Sequence, residues 1–172
     1  MLGWIDHRDT GGGDGAHALM RDLAEDLAQA GICVRGAIQA NQPGPDGCRC
    51  AMVLDILGDD GPGIVISQDL GPGARGCRLD GEALENAALR VIETMDGAGL
   101  VMVNKFGKQE TFGRGMIPVI VTALSRGVPV LVSVAPEQLA EFTLFAGDMA
   151  EQLTPAAATD WCLRMAQRPA LA

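Results

Sequence analysis

An α/β fold is predicted: three layers, built on a mainly parallel sheet with a small antiparallel hairpin insert. Three features of the sequence lead to it. Short apolar runs at 2–5, 32–39, 100–103 and 128–134 alternate with segments of helical period, the pattern of strand–helix–strand units. The runs "LVMV" (100–103) and "VPVLVSV" (128–134) are apolar throughout, as strands covered on both faces should be. Finally, "CAMVLDIL" and "GIVIS" flank "GDDGP", a hairpin signature. A length of 172 residues corresponds to one domain over 1–172, with enough chain to bury a sizeable core.

Each element has its own justification. "LGWI" (2–5) is a short strand, followed by the loop "DHRDTGGGDG". A helix at about 15–30 carries Leu19, Leu23 and Leu27 four residues apart, with Asp14 as N-cap and Gly31 ending it. "ICVRGAIQ" (32–39) is the next strand and "ANQPGPDGCR" a turn-rich loop. After the hairpin, "GPGARGCR" is another irregular loop. In "LDGEALENAALRVIETM" the residues Leu84, Ala87, Ala88, Val91, Ile92 and Met95 share one helical face, and Asp80 caps it. "MIPVIVTALSR" reads as a helix because Pro118 fits a first turn. Two helices close the chain, one from near Pro136 and one at "TPAAATDWCLRMA", with Thr154 as cap and Pro155 at the first position.

Composition narrows the function classes. The formal net charge is −9, with 48% apolar and 20% charged residues and a mean hydropathy of +0.17, which fits a compact fold. Four Phe, two Trp and no Tyr leave the core to Val, Ile, Leu, Met and Ala. An acidic chain lacks the basic footprint needed for broad nucleic-acid binding or for docking on anionic lipid. No apolar run approaches the ~20 residues of a membrane span, and "MLGWIDHRDT" lacks the charged-then-apolar pattern of a signal peptide. A cytoplasmic protein is therefore expected. Cys33, Cys48, Cys50, Cys77 and Cys162 form an odd set, read as thiols rather than disulfides. Cys48, Cys50 and Cys77 could share a metal if the hairpin gathered them. Their C-x-C spacing is looser than structural zinc patterns, and ordinary thiols are the simpler reading.

In sheets of this kind, ligands sit beyond the carboxyl ends of the strands. The loop after "LGWI" contains "TGGGDGAH", but it has no Lys, and no Ser or Thr after its last Gly, as a phosphate-cradling loop requires. Asp9 and Asp14 further disfavour an anion, so it reads as an acidic surface loop. The loop after "LVMV" is different. "NKFGKQETFGRG" places Lys105, Lys108 and Arg114 against Glu110, a local surplus of +2 in an acidic protein. As an N-K-x-D guanine reader it fails, because Gly107 stands where the carboxylate belongs. Turn amides and helix starts favour anions. Charge-assisted hydrogen bonds contribute roughly 1.5–3 kcal/mol each, and micromolar affinity needs about 8 kcal/mol net. The competing reading is a set of solvated lysines. A second patch, "ISQDLGPGARGCRLD" (66–80), offers Ser67 and Gln68 at a strand end, Gly71, Gly73 and Gly76 for close backbone approach, and Arg75 and Arg78 as oxyanion forks. A long turn with arginines reaching water is its alternative.

Taken together, "SQDLG", "GCRLD" and "VNKFGKQE…GRG" resemble a bacterial domain family of unassigned function, typically encoded beside molybdate-transport genes and grouped with P-loop nucleoside triphosphatases. The resemblance runs from "LGWI" to the Trp of "TDWCLRMA". A more distant likeness is to small thermophilic P-loop nucleoside triphosphatases, which carry "DEIGKME" after the corresponding strand. Against it, Gly107, Lys108 and Glu110 match. Asn104 stands where the Mg²⁺-associated Asp would be, and Lys105 where the catalytic Glu would be. The resemblance implies a P-loop-like fold from which much of the phosphoryl-transfer apparatus is missing.

The leading expectation is a non-catalytic domain that binds a small tetrahedral oxyanion, molybdate or tungstate first, in molybdenum homeostasis. Lys105, Lys108 and Arg114 would supply charge, Asn104 and Gly107 turn geometry, and Glu110 would orient a lysine; Ser67, Gln68, Arg75 and Arg78 form the second rank. No other cofactor and no resident metal are expected. The alternatives are a nucleotide-binding phosphohydrolase with an atypical phosphate loop, and an interaction module that contacts a molybdenum-pathway protein or a second copy of itself. A Ser/His/Asp hydrolase lacks support: there is no G-x-S-x-G, and neither His7 nor His17 adjoins a nucleophile in the sequence. Trp161 reads as core or as a partner face.

Overall fold

The computed structural model describes residues 1–42, 51–68, 70 and 78–167. Its strands are β1 (Leu2–Asp6), β2 (Val34–Gln42), β3 (Ala51–Leu57), β4 (Ile64–Val65), β5 (Leu100–Phe106), β6 (Val130–Val134) and β7 (Ala150–Gln152). The helices are α1 (Gly13–Gln29), α2 (Gly81–Glu93), α3 (Lys108–Thr111), α4 (Ile117–Ser125), α5 (Leu139–Ala146) and α6 (Pro155–Ala166). One sheet runs in the order β4-β3-β2-β5-β6-β1-β7. Pairing is parallel from β2 through β5, β6 and β1 to β7, and antiparallel at β2–β3 and β3–β4. This is the α/β, P-loop-like class that the sequence predicts.

The three layers follow from strand alternation. Leu2, Val101, Val103, Val130 and Val132 point to one face, where Leu84, Ala87 and Val91 of α2, Val119 and Ile120 of α4 and Phe142 of α5 cover them. Ile5, Leu100, Met102 and Leu131 point to the other face, under Met20, Leu23 and Leu27 of α1 and Ala158 and Trp161 of α6. The central strands are thus buried on both sides, which is why "LVMV" has no polar partner positions. Asp80 caps α2 by accepting from the Ala83 amide at 3.1 Å, as expected. Gly31 follows α1 at φ +80°, where a left-handed residue ends a helix.

Several boundaries differ from the expectation. The α1 N-cap position belongs to Gly12, with no side-chain cap, and Asp14 sits in the first turn, where its charge meets the positive end of the helix macrodipole. Thr154 occupies the α6 cap position without a capping hydrogen bond. The helix near Pro136 opens as a 3-10 turn, Pro136–Gln138, before α5. Strand β2 continues to Gln42, into the segment read as a loop from residue 40, because β3 offers it a long antiparallel ladder from Gly36↔Leu57 to Gln42↔Ala51. The expected hairpin is real but short, with two β3–β4 register pairs. Strand β7 and helix α3 were not foreseen. Gly36 is required where β2 meets β5: its φ is +129° and a Cβ would collide with the Met102 carbonyl. Cys48, Cys50 and Cys77, the three that a shared metal would need, lie outside the described residues.

Candidate functional site: the carboxyl edge of the sheet

Because β1, β2, β5 and β6 are parallel, their carboxyl ends share one edge. There β5 carries a bulge. Val103 stands opposite Val132 and Phe106 opposite Val134, so Asn104 and Lys105 share the space of one partner residue. Bulges re-aim side chains, and here the result is a buried Asn104 beside an exposed Lys105. The chain then turns through Gly107 into the single turn α3.

Glu110 holds this turn. Its carboxylate is 6% exposed and accepts from the Gly107 amide and the Met116 amide, each at 2.8 Å. Both ends of the loop are therefore tied to one side chain. Burial pushes its pKa up, against the opposing pull of these amides and of Lys105. The expected lysine-orienting role is replaced: the oxygens are taken by backbone N–H groups, because a buried turn must satisfy its amides.

A cavity of about 440 Å³ opens beside the turn. Asn104, Lys105, Gly107, Lys108, Glu110 and Arg78 all border it. Lys105 and Lys108 are exposed and form no ion pair among the described residues. Apart from Gln39 the rest of the wall is apolar, from Met52, Leu54 and Ile66 on the antiparallel side to Leu84 and Met116. Two expected partners stand elsewhere. Arg114 borders a separate groove of about 230 Å³ with Leu89 and Pro118. Ser67 accepts from the Met52 amide at 3.0 Å, which makes it a strand tie. Gln68 is exposed, its backbone bonded to Arg78 (amide to carbonyl, 2.6 Å). Arg75 lies outside the described residues.

Sequence reading missed a buried polar group on the same edge. His7, in the 3-10 turn His7–Thr10 after β1, lies with Nε2 2.9 Å from Ser133 Oγ. The Ser133 hydroxyl donates to the Asn104 carbonyl, so His7 Nε2 carries the proton that Ser133 accepts. Burial pushes the His7 pKa down to about 4, with Lys105 and His17 adding to the effect; burial likewise lowers His17. Both ring nitrogens of His17 and both amide atoms of Asn104 are buried without a hydrogen-bond partner among the described residues. A histidine does adjoin a serine in space, contrary to the expectation drawn from their separation in sequence. Ser133 is 0% exposed and its proton is committed, so it is no free nucleophile. Only the 126-residue separation of the pair hid it.

The loop after β1 adds no free cation for an anion. Arg8 is bound to Asp6, Nε to Oδ2 at 2.9 Å, and holds that carboxyl below its ordinary range. Cys33 and Cys162 are free thiols, and burial pushes Cys162 up to about 12, which makes it inert. No cluster of metal-ligating side chains occurs among the described residues. Trp161 is core, 1% exposed, with Nε1 donating to Glu151 at 2.8 Å. No helix among the described residues is long and apolar enough to cross a membrane.

Among curated proteins, a molybdenum import ATP-binding protein (ModC 2) of Bradyrhizobium diazoefficiens is 34% identical over 142 residues. The match covers 81% of this chain and 16% of that protein's length. No solved structure shows significant similarity to the chain. The family described as "Protein of unknown function (DUF2478)" matches residues 8–161, and the chain belongs to it.

Proposed function

We propose that this chain is a non-catalytic binding domain for an oxyanion, with molybdate or tungstate as first candidates and molybdenum homeostasis as the setting. The observation that carries the reading is the pair of ammonium groups, Lys105 and Lys108, on one cavity with no ion pair among the described residues. In a chain of net charge −9, two neighbouring cations on one cavity form a local site of the sign an anion needs. Each charge-assisted hydrogen bond to such an anion contributes about 1.5–3 kcal/mol. The name of the Bradyrhizobium relative, a molybdenum import ATP-binding protein, supports the choice of anion. Binding without turnover is favoured by Asn104 and Lys105, which occupy positions where the resemblance would place acidic residues. Glu110 does not substitute for them, since its oxygens already hold two amides.

Titration calorimetry with molybdate, tungstate, sulfate and phosphate tests the proposal. Heat from at least one ion, abolished in Lys105→Ala/Lys108→Ala, is expected. A folded protein that gives no heat with any of them overturns it. The second reading, a nucleotide-binding phosphohydrolase, draws on the "ATP-binding" of the relative's name. It predicts a thermal shift with ATP or GTP plus Mg²⁺, and turnover lost in Lys108→Ala.

A further inference from the structure

We infer that the cavity beside Lys105 and Lys108 is built for an organic anion, one with an apolar body behind its charged group. This rests on the anion-binding reading of the same site and sets a larger, organic anion in place of molybdate and tungstate as its first candidate. The first argument is size. A cavity of about 440 Å³ equals the liquid volume of roughly fifteen waters. It also falls within the range of about 300–1,000 Å³ typical of small-organic-molecule sites, which are mainly apolar with a few placed polar groups. A bare tetrahedral ion, smaller than a handful of waters, leaves most of that space as water against hydrocarbon.

The second argument is the distribution of chemistry. Met52, Leu54, Ile66, Leu79, Leu84 and Met116 form the apolar wall, and the two lysines stand together on the β5–α3 side. Sites for bare oxyanions surround the ion with donors. Here the Gly107 amide is already taken by Glu110. Gln39 and Arg78 interrupt this wall, but hydrocarbon makes up most of it, and cations set against hydrocarbon complement an amphiphilic anion, whose body gains by leaving water.

The third argument is Asn104. It borders the cavity, is 4% exposed, and has neither amide atom hydrogen-bonded among the described residues. Buried polar atoms are nearly always paired. Both atoms are closed off from the open cavity, so a ligand edge that donates and accepts reaches this amide only if the wall beside it moves.

The test is a calorimetric series at constant ionic strength: inorganic phosphate, molybdate, phenyl phosphate, 1-naphthyl phosphate and neutral 1-naphthol. Affinity is expected to rise at least tenfold from inorganic phosphate to 1-naphthyl phosphate. Lys105→Ala/Lys108→Ala should weaken every anion of the series, inorganic phosphate included, and Met52→Gln, nearly isosteric on the half-buried wall, should lower 1-naphthyl phosphate binding several-fold, more than it lowers inorganic phosphate binding. Circular dichroism of each variant confirms folding. Equal binding of molybdate, phosphate and 1-naphthyl phosphate overturns this inference and leaves the oxyanion reading standing. No binding of any anion by folded protein overturns both. Binding of 1-naphthol as tight as that of its phosphate overturns the role of the lysines, and with it the anionic ligand class.

Discussion

Replacing Glu110 by alanine removes the one side chain that ties both ends of the loop from Gly107 to Met116. The two amides it leaves behind each donate at 2.8 Å to a carboxylate only 6% exposed. A buried donor left without an acceptor costs about 1–3 kcal/mol, so two cost about 2–6 kcal/mol. Set against this is relief of the carboxylate's own burial, visible in its raised pKa, which places the net loss near the lower end, about 2–3 kcal/mol. For a chain of this length, 1 kcal/mol moves the melting temperature by roughly 2–4 °C, so Glu110→Ala should melt roughly 4–12 °C lower by calorimetry. Glu110→Gln keeps one acceptor but turns an NH₂ toward the second amide, and should lose roughly half as much. The pH dependence has a definite sign. The folded pKa lies above the unfolded value, so the folded state takes up the proton first. The wild type should therefore gain stability relative to Glu110→Gln as pH falls from neutral through the folded pKa toward the ordinary Glu value of about 4.3. A Glu110→Ala protein that melts within about 1 °C of wild type would refute this account of the loop.

Other positions give independent checks. His7 has its folded pKa near 4 against 6.5 unfolded, so the unfolded chain protonates first. Stability should fall by up to about 3 kcal/mol between pH 6.5 and 4, and urea midpoints of wild type and His7→Asn should converge as the medium is acidified; parallel curves would count against it. Gly36→Ala places a Cβ against the Met102 carbonyl at a positive φ and should give insoluble protein or a melting point more than about 10 °C lower. Asp80→Ala removes the cap of α2 and should cost about 1 kcal/mol in urea denaturation. Ligand affinity should weaken with added salt, because Lys105 and Lys108 are exposed and screened; salt-independent binding would place the ligand elsewhere.

Legibility differed between local and non-local features. The helix at 81–93 was readable because six apolar side chains fall on one stripe and Asp80 precedes it, all within seventeen residues of chain. The Lys105–Lys108 turn was readable for the same reason: a cationic cluster after a buried strand is a local pattern. The function of Glu110 was not, since the Met116 amide it accepts from becomes its neighbour only after the loop folds back. Arg114 lies six residues from Lys108 yet borders another groove, a separation that spacing alone does not reveal. His7, Ser133 and Asn104 come from three strand ends and meet only because β1, β6 and β5 are adjacent and parallel.

Period and composition were sufficient to specify an acidic α/β protein with a doubly covered central sheet, since apolar runs and helical stripes each declare the surface they must bury. They also located a cationic turn at the edge where ligands bind in such sheets. The shape and lining of the cavity came from elsewhere. A bulge in β5, the long β2–β3 ladder and the carboxylate bridge of Glu110 each join residues far apart in the chain. Their geometry depends on which strands become neighbours, a contest between whole-sheet packings that no short window of sequence encodes.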